Sequence, residues 1–331
     1  MLIPSPPGAK SFLSTNTTML LILIFSSVFC VLGNSWLVIW AMLELNTLSF
    51  CVVMKSVSKM KAQKSSDSTM KYLLIQVIAS SILLMGTSCG GFLNEMAIPV
   101  YLLTIVSIMV KAAASPFHQW FINVSKKLKW AVNSVLFTWQ KMAPLYLIAF
   151  QVKALLTGFI LMSVLSGTVS QMNKKNLKEI LAYSSVFNLG WMLMAILISV
   201  KLFLLFSLLY WASLLMFLSF IIKMKIENIE ETASKVKPWV ALTLMASLAG
   251  IPPLMGFMAK WGVFSFALNL GSGVLVTIML VISTVGFYVY LRTISGSAIK
   301  STSSYQKMSK PAGPLWIFLF GNVSAMLSVS L

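Results

Sequence analysis

Apolar runs of about 17 to 25 residues, each long enough to cross the hydrocarbon core of a bilayer as a helix, recur along the whole chain between short polar stretches. They predict spans near 18–32, 36–54, 72–88, 97–120, 131–150, 154–172, 178–199, 202–222, 240–269, 273–292 and 315–331. The first is short, and the fourth and ninth are long and interrupted by proline. The expected fold class is an all-α polytopic membrane protein with about eleven transmembrane helices. Residues 1–17 form an N-terminal extension, and 18–331 a single transmembrane domain.

Composition narrows the class. With 58% hydrophobic residues, 10% charged residues and a mean hydropathy of +0.90, the chain is more apolar than a soluble core could hide. Its formal charge of +18 is a topology signal, because lysine and arginine collect on the side of a membrane that is not translocated. With eleven spans, one face receives Lys10, the group Lys55 to Lys71, Lys126, Lys127, Lys129, Lys174, Lys175 and Lys178. The same face takes Lys223, Lys225, Lys235, Lys237, Arg292, Lys300, Lys307 and Lys310, and the other only Lys153 and Lys201. Basic residues spread over short loops in this way exclude a nucleic-acid partner.

Cys30, Cys51 and Cys89 lie in or beside apolar runs without CxxC spacing, so no disulfide framework or metal site is expected. The opening MLIPSPPGAK lacks the arginine of an amphipathic transit peptide, and no cleavable targeting signal is expected. Neither a GxGxxG nor a GxxxxGK[ST] is present, so no nicotinamide, flavin, ATP or iron–sulfur cluster is expected in this chain.

Three basic residues, Lys111, Lys141 and Lys260, fall within spans. Each adjoins proline: Lys111 precedes Pro116 in KAAASPFHQW, Lys141 precedes Pro144 in TWQKMAP, and Lys260 follows Pro252 and Pro253 in GIPPLMGFMAKW. Proline cannot donate to the carbonyl four residues earlier, which frees the C=O of Ala112, Gln140, Leu248 and Ala249. In a membrane such carbonyls survive only where protein or water satisfies them. Broken helices beside an ionisable group are what transporters place near the bilayer midplane. The competing reading is that the prolines kink helices for packing while the lysines snorkel to the interface.

Of the acids, Glu95 and Glu179 open spans, where a carboxylate favours the helix N-terminus, and Asp67, Glu227, Glu230 and Glu231 fall in loops. Glu44 alone is central in a span, so its charged form needs a partner or water. His118, the only histidine, excludes bis-histidine haem ligation within the chain, and reads as a satisfied polar core group or a proton relay. Trp139, Trp191 and Trp261 are assigned packing and anchoring roles.

In this order, the motifs KYLLIQVIAS, KAAASPFHQW, TWQKMAP, LKEILAYSSVFNLGWM and GIPPLMGFMAKW resemble the subunit 2 family of mitochondrial NADH:ubiquinone oxidoreductase, respiratory complex I. The resemblance runs from about Gly33 to the last span. It implies an antiporter-like membrane-arm subunit of two inverted repeats with two proline-broken helices, in the inner mitochondrial membrane, with the N-terminus and lysine-rich loops in the matrix. It also implies that Glu44 is a charge-pair glutamate, Lys111 its partner, Lys141 a central lysine and Lys260 the lysine of the second broken helix. NADH, FMN, iron–sulfur clusters and ubiquinone would belong to other subunits, and the partners would be membrane-arm subunits and lipid. Asn188 stands where many relatives carry histidine, Asn123 near the place of a usual acid, and Lys178–Glu179 in place of a basic pair. The implied activity is proton translocation through a Glu/Lys relay; the alternatives are a stand-alone cation/proton antiporter and a structural subunit without its own proton path.

Overall fold

The computed structural model describes residues 8–57, 62–92, 97–151, 156–224, 238–251, 254–269, 271 and 273–302. Among these residues every regular element is a helix. In chain order they are α1 (Gly8–Leu32), α2 (Trp36–Val57), α3 (Ala62–Phe92), α4 (Ala97–Ala112), α5 (Gln119–Lys127), α6 (Trp130–Phe137) and α7 (Trp139–Ile148). There follow α8 (Leu156–Gln171), α9 (Leu177–Ile198), α10 (Val200–Met224), α11 (Pro238–Ala249), α12 (Met255–Asn269) and α13 (Gly273–Thr302). Among the described residues, α2, α3, α9, α10 and α13 are long and apolar enough to cross a membrane, and α1, α4 and α8 carry shorter apolar stretches.

The chain divides into two compact units, Met1–Leu155 and Leu156–Leu331. In the first, α2 packs between α1 and α3, and α7 lies against α1, α4 and α6. A succession of ring contacts runs from Phe50 through Tyr72, Trp120 and Phe121 to Phe137, and fixes α2, α3, α5 and α6 around one interior. In the second, α9 is the most enclosed helix, packed against α8, α10 and α12. Its first turn carries Glu179, whose Oε1 accepts a bond from Asn176 Nδ2 at 2.9 Å, the placement expected of an acid at a helix start. Large apolar side chains such as Leu21, Leu37, Phe150, Leu208 and Val274 point outward, the arrangement suited to lipid or apolar neighbours rather than water.

The segment 131–150, expected as one span, is two helices that part at Thr138. Thr138 leaves helical geometry at φ −111° and ψ −77°, and both its N–H and its Oγ1 turn back to the carbonyl of Ser134. A threonine hydroxyl that competes for a backbone carbonyl bends a helix in this way. The expected span 315–331 lies outside the described residues, as do Pro252, Pro253, Glu95, Glu227, Glu230 and Glu231.

Candidate functional site

In the first unit the site begins where α4 stops. Ala113 has a positive φ of 61°, its N–H reaches Val110 C=O at 3.2 Å, and the N–H of Ala114 reaches Met109 C=O at 3.0 Å. That pair of bonds is a Schellman ending, which usually recruits glycine; an alanine in the left-handed region costs about 1–2 kcal/mol. Val110 C=O also accepts the indole N–H of Trp120 at 3.2 Å, which ties the end of α4 to α5. Lys111 is thereby held one residue before the end of its helix, 6% exposed.

A cavity of about 20 Å³, measured by where the centre of a water can sit, lies between this helix end and α7. Lys111 and Lys141 both line it, and the volume exceeds the roughly 10–15 Å³ that one water needs. Asn46, Thr47, Tyr72, Gln76 and Gln140 supply its polar lining, with Pro144 at its edge. Gln140 organises that lining: its Nε2 donates to Asn46 Oδ1 at 3.0 Å, and its Oε1 accepts from the Tyr72 hydroxyl at 3.3 Å. Lys141, 3% exposed, holds its Nζ 4.5 Å from the centroid of the Phe121 ring. An ammonium over an aromatic face in a desolvated site gains about 2 kcal/mol.

No nitrogen–oxygen contact of 4.0 Å or less joins Glu44, on α2, to Lys111. The Glu44 Oε1 and the Lys111 Nζ are both enclosed, and among the described residues neither meets a hydrogen-bond partner. His118 precedes α5 with its ring buried, bonded to the backbone of Pro116, and is not among the residues that line the cavity. Pro144 lies inside α7.

In the second unit α11 ends at Gly250, whose φ is +83°. The N–H groups of Gly250 and Ile251 both reach Ala246 C=O, at 3.1 and 3.2 Å. Lys260, on α12, folds back to this end, and its Nζ donates to Ala249 C=O at 2.8 Å. The same nitrogen lies 5.0 Å from the Phe187 ring centroid and 5.9 Å from that of Trp191. Ala249 C=O is one of the carbonyls that the proline pattern leaves without a backbone donor, and the lysine itself supplies one.

Chemically, the first unit offers buried amines, hydroxyls, amides and a volume fit for water: groups that hold and pass protons. Among the described residues no group of three His, Cys, Asp or Glu side chains could hold a metal ion. Sequence reasoning left out Asn46, Tyr72, Gln76 and Gln140 of the lining, and the rings Phe121 and Phe187. Gln140 had a signal, as a polar neighbour of Lys141 inside TWQKMAP, and Asn46 and Thr47 follow Glu44 in one span. The aromatic rings had none, since phenylalanine fills spans everywhere along the chain.

A family profile described as NADH:quinone oxidoreductase/Mrp antiporter, TM, matches residues 33–286. The NADH-ubiquinone oxidoreductase chain 2 of Anopheles gambiae is 34% identical over 291 residues, which cover 84% of this chain and 84% of that protein. The protein of the same name from Artemia franciscana is 33% identical over 300 residues, covering 88% of this chain and 93% of its own length. A chain of respiratory complex I from Thermus thermophilus shares the fold with a TM-score of 0.73 at 22% identity, over 95% of this chain and 76% of that one. A chain of the Mrp complex from a Dietzia species does so with a TM-score of 0.72 at 19% identity, over 84% of this chain and 59% of that one.

Proposed function

Because the chain belongs to the NADH-ubiquinone oxidoreductase chain 2 family, within the NADH:quinone oxidoreductase/Mrp antiporter group, we propose that it is a proton-translocating membrane subunit of respiratory complex I. It acts in the inner mitochondrial membrane, among other membrane-arm subunits and lipid, with its lysine-rich loops and N-terminus toward the matrix. About eleven transmembrane helices form two inverted repeats. Pro116 breaks a helix in one, Pro252 and Pro253 break a helix in the other, and Pro144 frees a carbonyl beside the central lysine. Redox chemistry with NADH, FMN, iron–sulfur clusters and ubiquinone belongs to other subunits.

Glu44, Lys111, Lys141 and Lys260 carry the proton, with His118 as a subsidiary relay. The observation that supports this most directly is the cavity shared by Lys111 and Lys141. When Glu44 closes on Lys111, the carboxylate favours the ammonium; when it withdraws, burial disfavours the charge and the proton leaves. A water in the cavity takes the proton from the Lys111 ammonium and delivers one to Lys141, whose ammonium is stabilised by the Phe121 ring. The relay continues to Lys260, where Ala249 C=O and two aromatic faces receive the charge. Moving one charge against 100 mV costs about 2.3 kcal/mol, comparable to a single charge-assisted hydrogen bond of about 1.5–3 kcal/mol, so small rearrangements suffice.

The likeness to an Mrp chain raises a second reading, a stand-alone cation/proton antiporter. The cavity argues for protons over metal cations, because the groups lining it include two lysines and no carboxylate. Purification separates the two readings, since an independent antiporter does not co-purify with NADH-oxidising subunits. The experiment for the relay is Lys141→Met in the assembled complex reconstituted in liposomes. Assembly is expected to persist while proton translocation by this subunit is lost; full translocation by the assembled variant refutes the relay, and failure to assemble favours a structural role.

A further inference from the structure

The lysine relay leaves two hydroxyls of the cavity lining unused, Thr47 on α2 and Tyr72 on α3. Both residues are buried, at 6% and 1% exposed. Each has its single hydroxyl proton committed to a protein acceptor. Thr47 Oγ1 donates to Glu44 C=O at 2.8 Å, one turn back in its own helix, and Tyr72 Oη donates to Gln140 Oε1 at 3.3 Å. The Gln140 amide fixes the second of these bonds, because its Nε2 is spent on Asn46 Oδ1 at 3.0 Å and its oxygen is left toward Tyr72. The Tyr72 ring is held by Phe50 and Trp120, at centroid distances of 5.2 and 5.8 Å, so its oxygen has little freedom to move. A hydroxyl carries one proton and two lone pairs. With the proton spent elsewhere, each of these oxygens meets the cavity as an acceptor only.

Acceptor-only hydroxyls are what the two lysines require of a water between them. Lys111 Nζ is enclosed, meets no hydrogen-bond partner among the described residues, and belongs to a residue lining a cavity with room for a water. A water passes a proton from the Lys111 ammonium to the Lys141 amine when a lone pair faces the first and an O–H bond faces the second. Its other O–H then needs an acceptor, and no competing donor can occupy the lone pair. A hydroxyl that donated into the cavity would fill the lone pair that Lys111 needs. One that only accepts takes up the spare O–H and leaves the lone pair open.

We infer that Thr47 and Tyr72 are positioning residues whose hydroxyl oxygens hold the cavity water with one O–H fixed and a lone pair open toward Lys111. The inference rests on the proposed relay and adds what orients its first transfer. In that step a Lys111 N–H bond breaks as a water O–H forms, and the water's O–H toward Lys141 breaks as a Lys141 N–H forms. One proton moves, the water is regenerated, and neither hydroxyl gains or loses a proton. Thr47 donates to the carbonyl of Glu44 itself, so one turn of α2 carries both the switching carboxylate and a water anchor.

The test uses the whole complex in liposomes and reads the rate of proton translocation in H2O and in D2O. Thr47→Val and Tyr72→Phe each delete one hydroxyl, on different helices, and Thr47→Ser keeps one. Each deletion is expected to slow translocation by the assembled complex about two- to tenfold, the worth of one hydrogen bond, and to enlarge the solvent isotope effect. Thr47→Ser is expected to restore both readings. If Tyr72→Phe does not assemble, Thr47→Val decides, since its hydroxyl bonds only within its own helix. A wild-type rate in either assembled deletion variant, while Lys141→Met abolishes translocation, overturns the inference and leaves the relay standing. Slower translocation with an unchanged isotope effect, or without rescue by Thr47→Ser, marks a packing role and also overturns it. A wild-type rate in Lys141→Met overturns both.

Discussion

Gly256 opens the helix that carries Lys260, and replacing it by alanine is a sharp test of how that lysine is placed. A Cβ at this position would stand 2.0 Å from the backbone oxygen of Ser247, on α11, and 3.2 Å from the Cα of Gly250. Ordinary contact begins at 3.4 Å, so the start of α12 must move off α11 by about 1.4 Å. Neither obstacle is the end of a flexible side chain, so the cost falls at the upper end of the overpacking range, about 3 kcal/mol. Three kcal/mol is about a hundredfold in the ratio of folded to unfolded chains. The same movement carries Lys260 away from Ala249 C=O, now 2.8 Å from its nitrogen. The expected result for Gly256→Ala is a large loss of assembled complex on native gels, and lost proton translocation in whatever assembles. Gly262→Ala, in the same helix, is the control: a Cβ there meets nothing within 4 Å, and exchanging a helical glycine for alanine stabilises by up to about 1 kcal/mol. Gly250→Ala falls between them. Its φ of +83° costs alanine about 1–2 kcal/mol, and its Cβ would meet the Lys260 Nζ, a movable group, at 2.9 Å. Wild-type assembly and translocation in Gly256→Ala would refute the close approach of α11 and α12 on which the placement of Lys260 depends.

Other substitutions probe the first unit. Gln140→Leu leaves Asn46 Oδ1 without its donor and the Tyr72 hydroxyl without its acceptor, at about 1–3 kcal/mol for each enclosed group, so the melting temperature of the complex drops; Tyr72→Phe removes one long bond and costs about 0.5–1.5 kcal/mol. Equal melting shifts for the two would contradict the bridging role of Gln140. Phe121→Leu takes away the aromatic face 4.5 Å from the Lys141 nitrogen, worth about 2 kcal/mol to the protonated state, and is expected to slow translocation about thirtyfold, whereas Phe121→Tyr keeps the face and stays within a few-fold of wild type. Identical rates for those two variants would sink the cation–π reading. Asp67→Asn removes a pair with Lys127 at 3.6 Å in which both partners are solvated, at 64% and 32% exposed; stability on melting should change by less than about 0.5 kcal/mol, and a larger loss would mean the pair does more than its exposure allows.

The helical, apolar character of the chain and the positions of its internal charges were legible in the sequence, because apolar runs and internal charges are local properties. A lysine inside an apolar run stands out however the helices pack, and so does a proline beside it. The sequence even marks Ala249 C=O as short of a donor, since proline chemistry alone decides that. It does not say what answers the carbonyl. That is Lys260 Nζ, brought back by the left-handed turn at Gly250 and by the contact of α12 with α11. In the same way, TWQKMAP marks Lys141 and Gln140, but Asn46 and Tyr72, which Gln140 bridges, lie 94 and 68 residues away, and only packing brings them together.

Thr138 illustrates the other kind of gap. Nothing in an apolar window distinguishes a threonine that rides along a helix from one that turns its hydroxyl and its N–H onto the same carbonyl. Composition and periodicity thus determined that this is a helical membrane protein with a few charges buried at cost, because hydropathy and proline geometry act within a few residues. Which polar groups share a cavity and which carbonyl receives which ammonium were decided by tertiary structure, because each depends on side chains from different helices meeting in space.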